Sequence, residues 1–151
     1  MHSKFPVAVH IFFLRDEQIL LLRRFNTGYE DGNYSVVAGH VDMGETITQA
    51  AIREVGEEVG VMLEPKEIQI VHLMNRKSED ERIDFFMAVR QWTGEIVNKE
   101  PHKCDELTWH PITSLPQNTI PYVRYAIQCF QNEISYSEFG WEQTNDPTHQ
   151  N

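Results

Sequence analysis

Three glutamates, Glu54, Glu57 and Glu58, stand at i, i+3 and i+4 in the stretch GHVDMGETITQAAIREVGEEVGV, residues 39–61. On a helix they would fall within an arc of roughly 100° on one face. Like charges so spaced cost an exposed helix roughly 0.2–0.5 kcal/mol per pair. A face meant only for solubility would interleave lysines, and this one carries none. Such a face suits a cation. Carboxylate oxygens are hard donors, so the matching ion is Mg2+, with Mn2+ as a substitute, and not a soft metal.

The helix that must present these acids is legible from its ends. Thr46 is a side-chain cap, and Gln49, three residues on, completes a capping box. Ile52, Val55 and Val59 gather on another face, so the helix has an apolar side to bury.

Nine positions in these 23 residues, Gly39, Glu45, Arg53, Glu54, Val55, Glu57, Glu58, Gly60 and Val61, match without departure the pattern G-x5-E-x7-R-E-U-x-E-E-x-G-U, where U is a bulky aliphatic residue. The stretch resembles the Nudix box. A merely solvated acidic face explains neither the two glycines nor the placing of Arg53. The resemblance implies an α/β/α sandwich with a mixed β-sheet. It also implies metal-dependent hydrolysis of a nucleoside diphosphate linked to another group. By position in the box, Glu54 and Glu58 resemble the principal metal ligands, and Glu57 a further one, direct or through water. The Gly39 carbonyl is the first metal-facing group, and a glycine lets backbone approach an ion closely. Arg53 resembles an orienter of the carboxylates, Glu45 its partner, and Glu54 or a loop carboxylate the base. A divalent ion neutralises crowded phosphate oxygens and lowers the pKa of a bound water.

The elements that position the box follow from the pattern of apolar runs. Residues 6–14 and 18–22 read as two strands joined by the turn 15–17, and 34–38 as a short strand delivering the chain to Gly39. Between them 26–33 is a loop by its Gly, Asn and Asp content. After the box, 68–74 and 83–90 read as strands around a charged hairpin tip, 75–82, and 94–97 as a short strand. A short strand, 107–110, and a turn, 111–115, precede a closing helix, 120–132, with Pro121 in its first turn. Tyr122, Ala126, Cys129 and Phe130 form a stripe that reads as core, and His10 reads as a core or pocket-wall residue. From Ile134 periodicity is lost. Residues 1–140 are expected to form one domain, 141–151 a polar tail, and 144–151 to be disordered.

Two further groups could serve phosphate chemistry. Arg23 and Arg24, at the end of an apolar strand, are candidates for a bidentate phosphate contact. The loop 98–106 (NKEPHKCDE) carries Glu100, Asp105 and Glu106. Several Nudix enzymes resembling this chain take an extra base or ligand from such a loop, and the three acids are not ranked by sequence.

Composition narrows the partners. A net charge of −10 leaves no basic surface for a nucleic-acid polymer, whereas a nucleotide's phosphates can be bridged to carboxylates by a divalent ion. Cys104 and Cys129 make neither a C-x-x-C pair nor a disulfide framework, and no long apolar run is present, so a cytoplasmic protein without a membrane partner is expected. Self-association as a homodimer stays open. The expected activity is conversion of a nucleoside triphosphate to monophosphate and pyrophosphate. The alternatives are hydrolysis of ADP-ribose or a nucleoside diphosphate sugar, or a non-catalytic nucleotide-sensing domain.

Overall fold

The strand β1 (Val7–Arg15) is buried on both faces, which its unbroken apolar run anticipates. Val9, Ile11 and Phe13 enter one core and Phe12 the other. The computed structural model describes residues 1–141. The expected disorder at 144–151 lies outside the described residues.

The remaining elements are β2 (Gln18–Arg24), β3 (Tyr34–Ser35), β4 (Val37–His40), α1 (Ile47–Val59), a 3-10 turn at Pro65–Glu67, β5 (Ile68–Lys77), β6 (Glu81–Val89), β7 (Cys104–Pro111), α2 (Pro121–Gln131) and β8 (Tyr136–Phe139). They build a mixed sheet in the order β3-β2-β1-β6-β5-β8, with β4 paired to β1 and β7 to β2. One core holds Ala50, Ala51, Val55 and Val59 of α1, and the other Val123, Ala126, Ile127 and Cys129 of α2. The helices therefore cover opposite faces, and the α/β/α sandwich is borne out. Among the described residues no helix is long and apolar enough to cross a membrane.

One feature of β1 opens the cleft. It runs parallel to β6 on one side, and on the other divides itself between β4 over Ala8–Ile11 and β2 at Leu14 and Arg15. A strand that gives its two halves to different partners forces those partners apart. The gap between β2 and β4 is walled by Ala8, His10, Leu22, Arg24, Val36 and Ala38.

Several expectations need correction. No strand forms at 94–97: the Val97 and Lys99 amides instead donate to the Val59 and Glu58 carbonyls (both 3.0 Å), satisfying the open end of α1. The hairpin tip shrinks to 78–80, because residues 75–77 and 81–82 stay on the ladder. Strand β7 begins at Cys104, within the expected loop. The unforeseen β8 pairs parallel with β5, pinned by His72, whose Nδ1–H donates to the Ile134 carbonyl (2.8 Å) while Ser137 Oγ bonds Nε2 (2.7 Å). The expected core stripe is borne out, with Ala126 and Cys129 buried and Tyr122 and Phe130 packed against the same core, and Tyr122 also lines the cleft.

The capping box forms as the residues dictate: Gln49 N donates to Thr46 Oγ1 (3.0 Å) and Thr46 N to Gln49 Oε1 (2.9 Å). Thr46→Ala should lower stability by about 1 kcal/mol. Urea unfolding checks this, and an unchanged midpoint would show that packing alone holds the helix start.

Candidate active site

Arg53 holds the acids of α1 in place. Its Nε and Nη2 bond both oxygens of Glu45 (2.7 and 2.9 Å), Nη1 bonds Glu54 (2.8 Å) and approaches Glu57 (3.4 Å), and Nη2 also reaches the His40 carbonyl (3.0 Å). The paired bonds from Arg53, with one from the Asp42 amide, take Glu45 down to about 2. The same pairing raises Arg53 above its ordinary value.

Glu54 lies directly over Gly39. A methyl group on Gly39 would stand 2.0 Å from Glu54 Cδ, so only glycine leaves the carboxylate its place. Glu58 stands beside it. Burial, its hydrogen bond with Glu54, and the charges of Glu54 and Glu100 raise its carboxyl well above the ordinary range. Glu54, Glu57, Glu58, Gly39 and Glu100 line one cleft of about 620 Å3. Among the described residues no three His, Cys, Asp or Glu side chains already converge on one point, since Arg53 bridges Glu54 and Glu57 instead. The larger hollow, about 970 Å3 around Arg15 and Trp92, holds none of these residues.

The other candidates are separated by the fold. Arg24 faces the cleft, its Nε donating to the Tyr29 carbonyl (2.6 Å) and Nη2 to Thr27 Oγ1 (3.0 Å). Arg23 points elsewhere and grips Asp105 (2.8 and 3.2 Å), which lowers that acid. Glu106 accepts from the Tyr34 hydroxyl, and both Asp105 and Glu106 border a different hollow. Of the three loop acids only Glu100 lines the cleft.

Four residues that carry the cleft's other wall were not singled out by sequence as functional: Tyr29, Arg76, Asp84 and Tyr122. Asp84 is fully buried and accepts from His10 Nε2 (2.9 Å) and Arg76 Nε (2.7 Å). Burial alone would raise it, but these bonds lower it to about 2. A signal existed: an Asp inside the apolar run IDFFMAV has to find a partner.

The NUDIX domain family matches residues 4–128, and the chain belongs to that family. Its members hydrolyse pyrophosphate bonds, and the chain is a Nudix hydrolase. Its relatives include an 8-oxo-dGTP diphosphatase of Escherichia coli (strain K12), 31% identical over 99 residues, covering 65% of this chain and 75% of that protein. Another is the NAD-capped RNA hydrolase NudC of Shigella dysenteriae serotype 1, 34% identical over 107 residues. That match covers 71% of this chain and only 39% of the relative. Among solved structures, a MutT NUDIX hydrolase from Burkholderia pseudomallei matches with a TM-score of 0.76 at 25% identity, covering 83% of this chain and 98% of that one.

Two outcomes follow from the geometry. Asp84 is held below the ordinary carboxylate value of about 3.9. Its stabilisation is therefore complete above that value and lost as pH falls through about 2. The stability gap between wild type and Asp84→Asn should narrow between those limits, as read by denaturant unfolding at stepped pH. Gly39→Ala should displace the Glu54 carboxylate while keeping the fold. A circular dichroism spectrum like wild type with turnover lowered at least about tenfold is expected, and full activity would show that Glu54 can sit elsewhere.

Proposed function

We propose that this chain is a Mg2+-dependent pyrophosphohydrolase that cleaves a nucleoside triphosphate to the monophosphate and pyrophosphate. The observation that carries the reading is the set of oxygens on one cleft wall: Gly39, Glu54, Glu57, Glu58 and Glu100. These residues fit a divalent ion on two counts. Every donor is a hard oxygen, and Glu58 stands against two like charges, Glu54 and Glu100, with no ion pair of its own among the described residues. Glu54 and Glu58 would be the principal ligands, with Glu57 and the Gly39 carbonyl completing the set, and Mn2+ would substitute. When bound, the ion would supply charge neutralisation at the phosphate oxygens and acidify water.

The chain's own residues do the rest. Arg53 orients Glu54 and Glu57 and is itself held by Glu45. Arg24, facing the cleft, is the better phosphate contact, since Arg23 is committed to Asp105. Glu100 is the loop carboxylate of choice, because Asp105 and Glu106 are engaged outside the cleft. In the step itself, a water oxygen forms a bond to phosphorus and the anhydride oxygen leaves with the bonding pair. Glu100 takes the water's proton. The 8-oxo-dGTP diphosphatase relative supports a triphosphate over ADP-ribose as substrate class.

The test incubates each nucleoside triphosphate with Mg2+ and resolves the products. Monophosphate with pyrophosphate is expected, and release of orthophosphate alone, or no turnover, would overturn the reading. Glu58→Gln should lower turnover at least about 100-fold. Glu100→Gln should lower kcat strongly, while Asp105→Asn and Glu106→Gln change it less than about threefold. Three equally mild effects would return the base role to Glu54 or Glu57.

A further inference from the structure

The wall of the cleft away from the carboxylates carries a buried charge network that hydrolysis does not use. Asp84 is 0% exposed and joins His10 (3%) and Arg76 (5%). Taking such charges out of water costs several kcal/mol per ion, and apolar side chains of similar size could fill the space at less cost. What the network gains is a guanidinium in one fixed pose. Arg76 Nε and Nη2 are bonded to Asp84 (2.7 and 3.4 Å), and its Cζ lies 3.6 Å from the Tyr122 ring centroid. Its Nη1 has no hydrogen-bond partner among the described residues, and Arg76 lines the cleft.

We propose that Arg76 is the specificity-determining residue of the cleft. Its guanidinium reads the substrate's nucleobase and selects bases that carry a carbonyl (hypoxanthine, guanine, uracil) over those with an amine at the same ring position (adenine, cytosine). This rests on the nucleotide reading above.

The location favours a base over a phosphate. Across the sheet the order is β4, β1, β6, β5. Three strand steps of about 4.8 Å put Arg76's strand about 14 Å from Gly39, where Glu54 sits. Phosphates bound at the acids would leave the base at the Arg76 end. That end is aromatic: Tyr122 forms its wall, and Tyr29, 49% exposed, lines the same cleft with Arg24 over its ring at 5.2 Å. Asp31 locks the Tyr29 loop by accepting from the Thr27 amide (3.0 Å), the Thr27 hydroxyl (2.6 Å) and the Gly28 amide (2.9 Å). A planar base has flat surfaces to lie against.

The hydrogen-bonding pattern then chooses among bases. A guanidinium only donates. A carbonyl-bearing base offers C=O at the position where an amino base offers N–H. The free Nη1–H of Arg76 complements the first pattern. The second sets N–H against N–H and leaves a desolvated donor unpaired.

The experiment measures Kd by titration calorimetry for inosine, adenosine, uridine and cytidine 5'-monophosphates, and kcat/KM for the four triphosphates with Mg2+. Inosine over adenosine, and uridine over cytidine, should each be preferred at least about tenfold. In Arg76→Lys, with a wild-type circular dichroism spectrum, both ratios should fall to within about twofold, since a lysine keeps the charge and loses the planar fork. Wild-type ratios near one, or inverted, overturn the proposal, and so does an Arg76→Lys that weakens all four nucleotides equally. Should that variant not fold, the wild-type ratios decide alone. A carbonyl preference in binding without any hydrolysis upholds the base readout and defeats the pyrophosphohydrolase reading. Hydrolysis without preference does the reverse, and neither binding nor hydrolysis overturns both.

Discussion

Like-charge crowding on α1 is the constraint around which this molecule is arranged. Glu58 is raised by burial and by the charges of Glu54 and Glu100, and nothing in the helix itself relieves it. The fold supplies one fixed cation, Arg53, and shares it among Glu45, Glu54, Glu57 and, at 3.4 Å, Asp42. That sharing needs Glu45 in the loop before the helix and Thr46 to start the helix immediately afterwards. It also needs a bare glycine under Glu54. The nine fixed positions of the box are one electrostatic arrangement read residue by residue.

The cleft exists because β1 cannot pair with β2 and β4 along the same edge. Once β1 gives Ala8–Ile11 to β4, β2 is free to pair with β7 and to carry Arg24 across the gap. The two walls differ in chemistry as a result. One is a helix face of carboxylates, and the other is a buried network whose single acid, Asp84, is already neutralised by its partners. An elongated anion with a planar end group would meet opposite demands at its two ends, which a cleft with unlike walls satisfies.

The sequence by itself determined the helix, its caps, the acidic face, the box and the sandwich that the box implies, because each depends on residues a few positions apart. Thr46 with Gln49, or Glu54 with Glu58, are neighbours on any helix. Strands were legible for a similar reason: period and β-branched content are local properties. The placing of Gly39 under Glu54 was legible only as a family pattern, since the contact spans a strand and a helix.

Tertiary structure decided what depends on distant partners. Arg23 and Arg24 are adjacent in sequence, yet opposite faces of β2 send one to Asp105 and the other to the cleft. Glu100, in the loop before β7, lines the cleft, while Asp105 and Glu106, on β7 itself, border another hollow, though composition treats the three acids alike. Residues 94–97 read as a strand but serve the end of α1, because open helical carbonyls were the nearer hydrogen-bond partners. Strand β8 was invisible because its partner, β5, lies some sixty residues earlier in the chain. Arg76, Asp84 and Tyr122 converge from three elements, and no spacing along a chain records that meeting. Periodicity tells which face a side chain takes; only the packed sheet tells what stands opposite it.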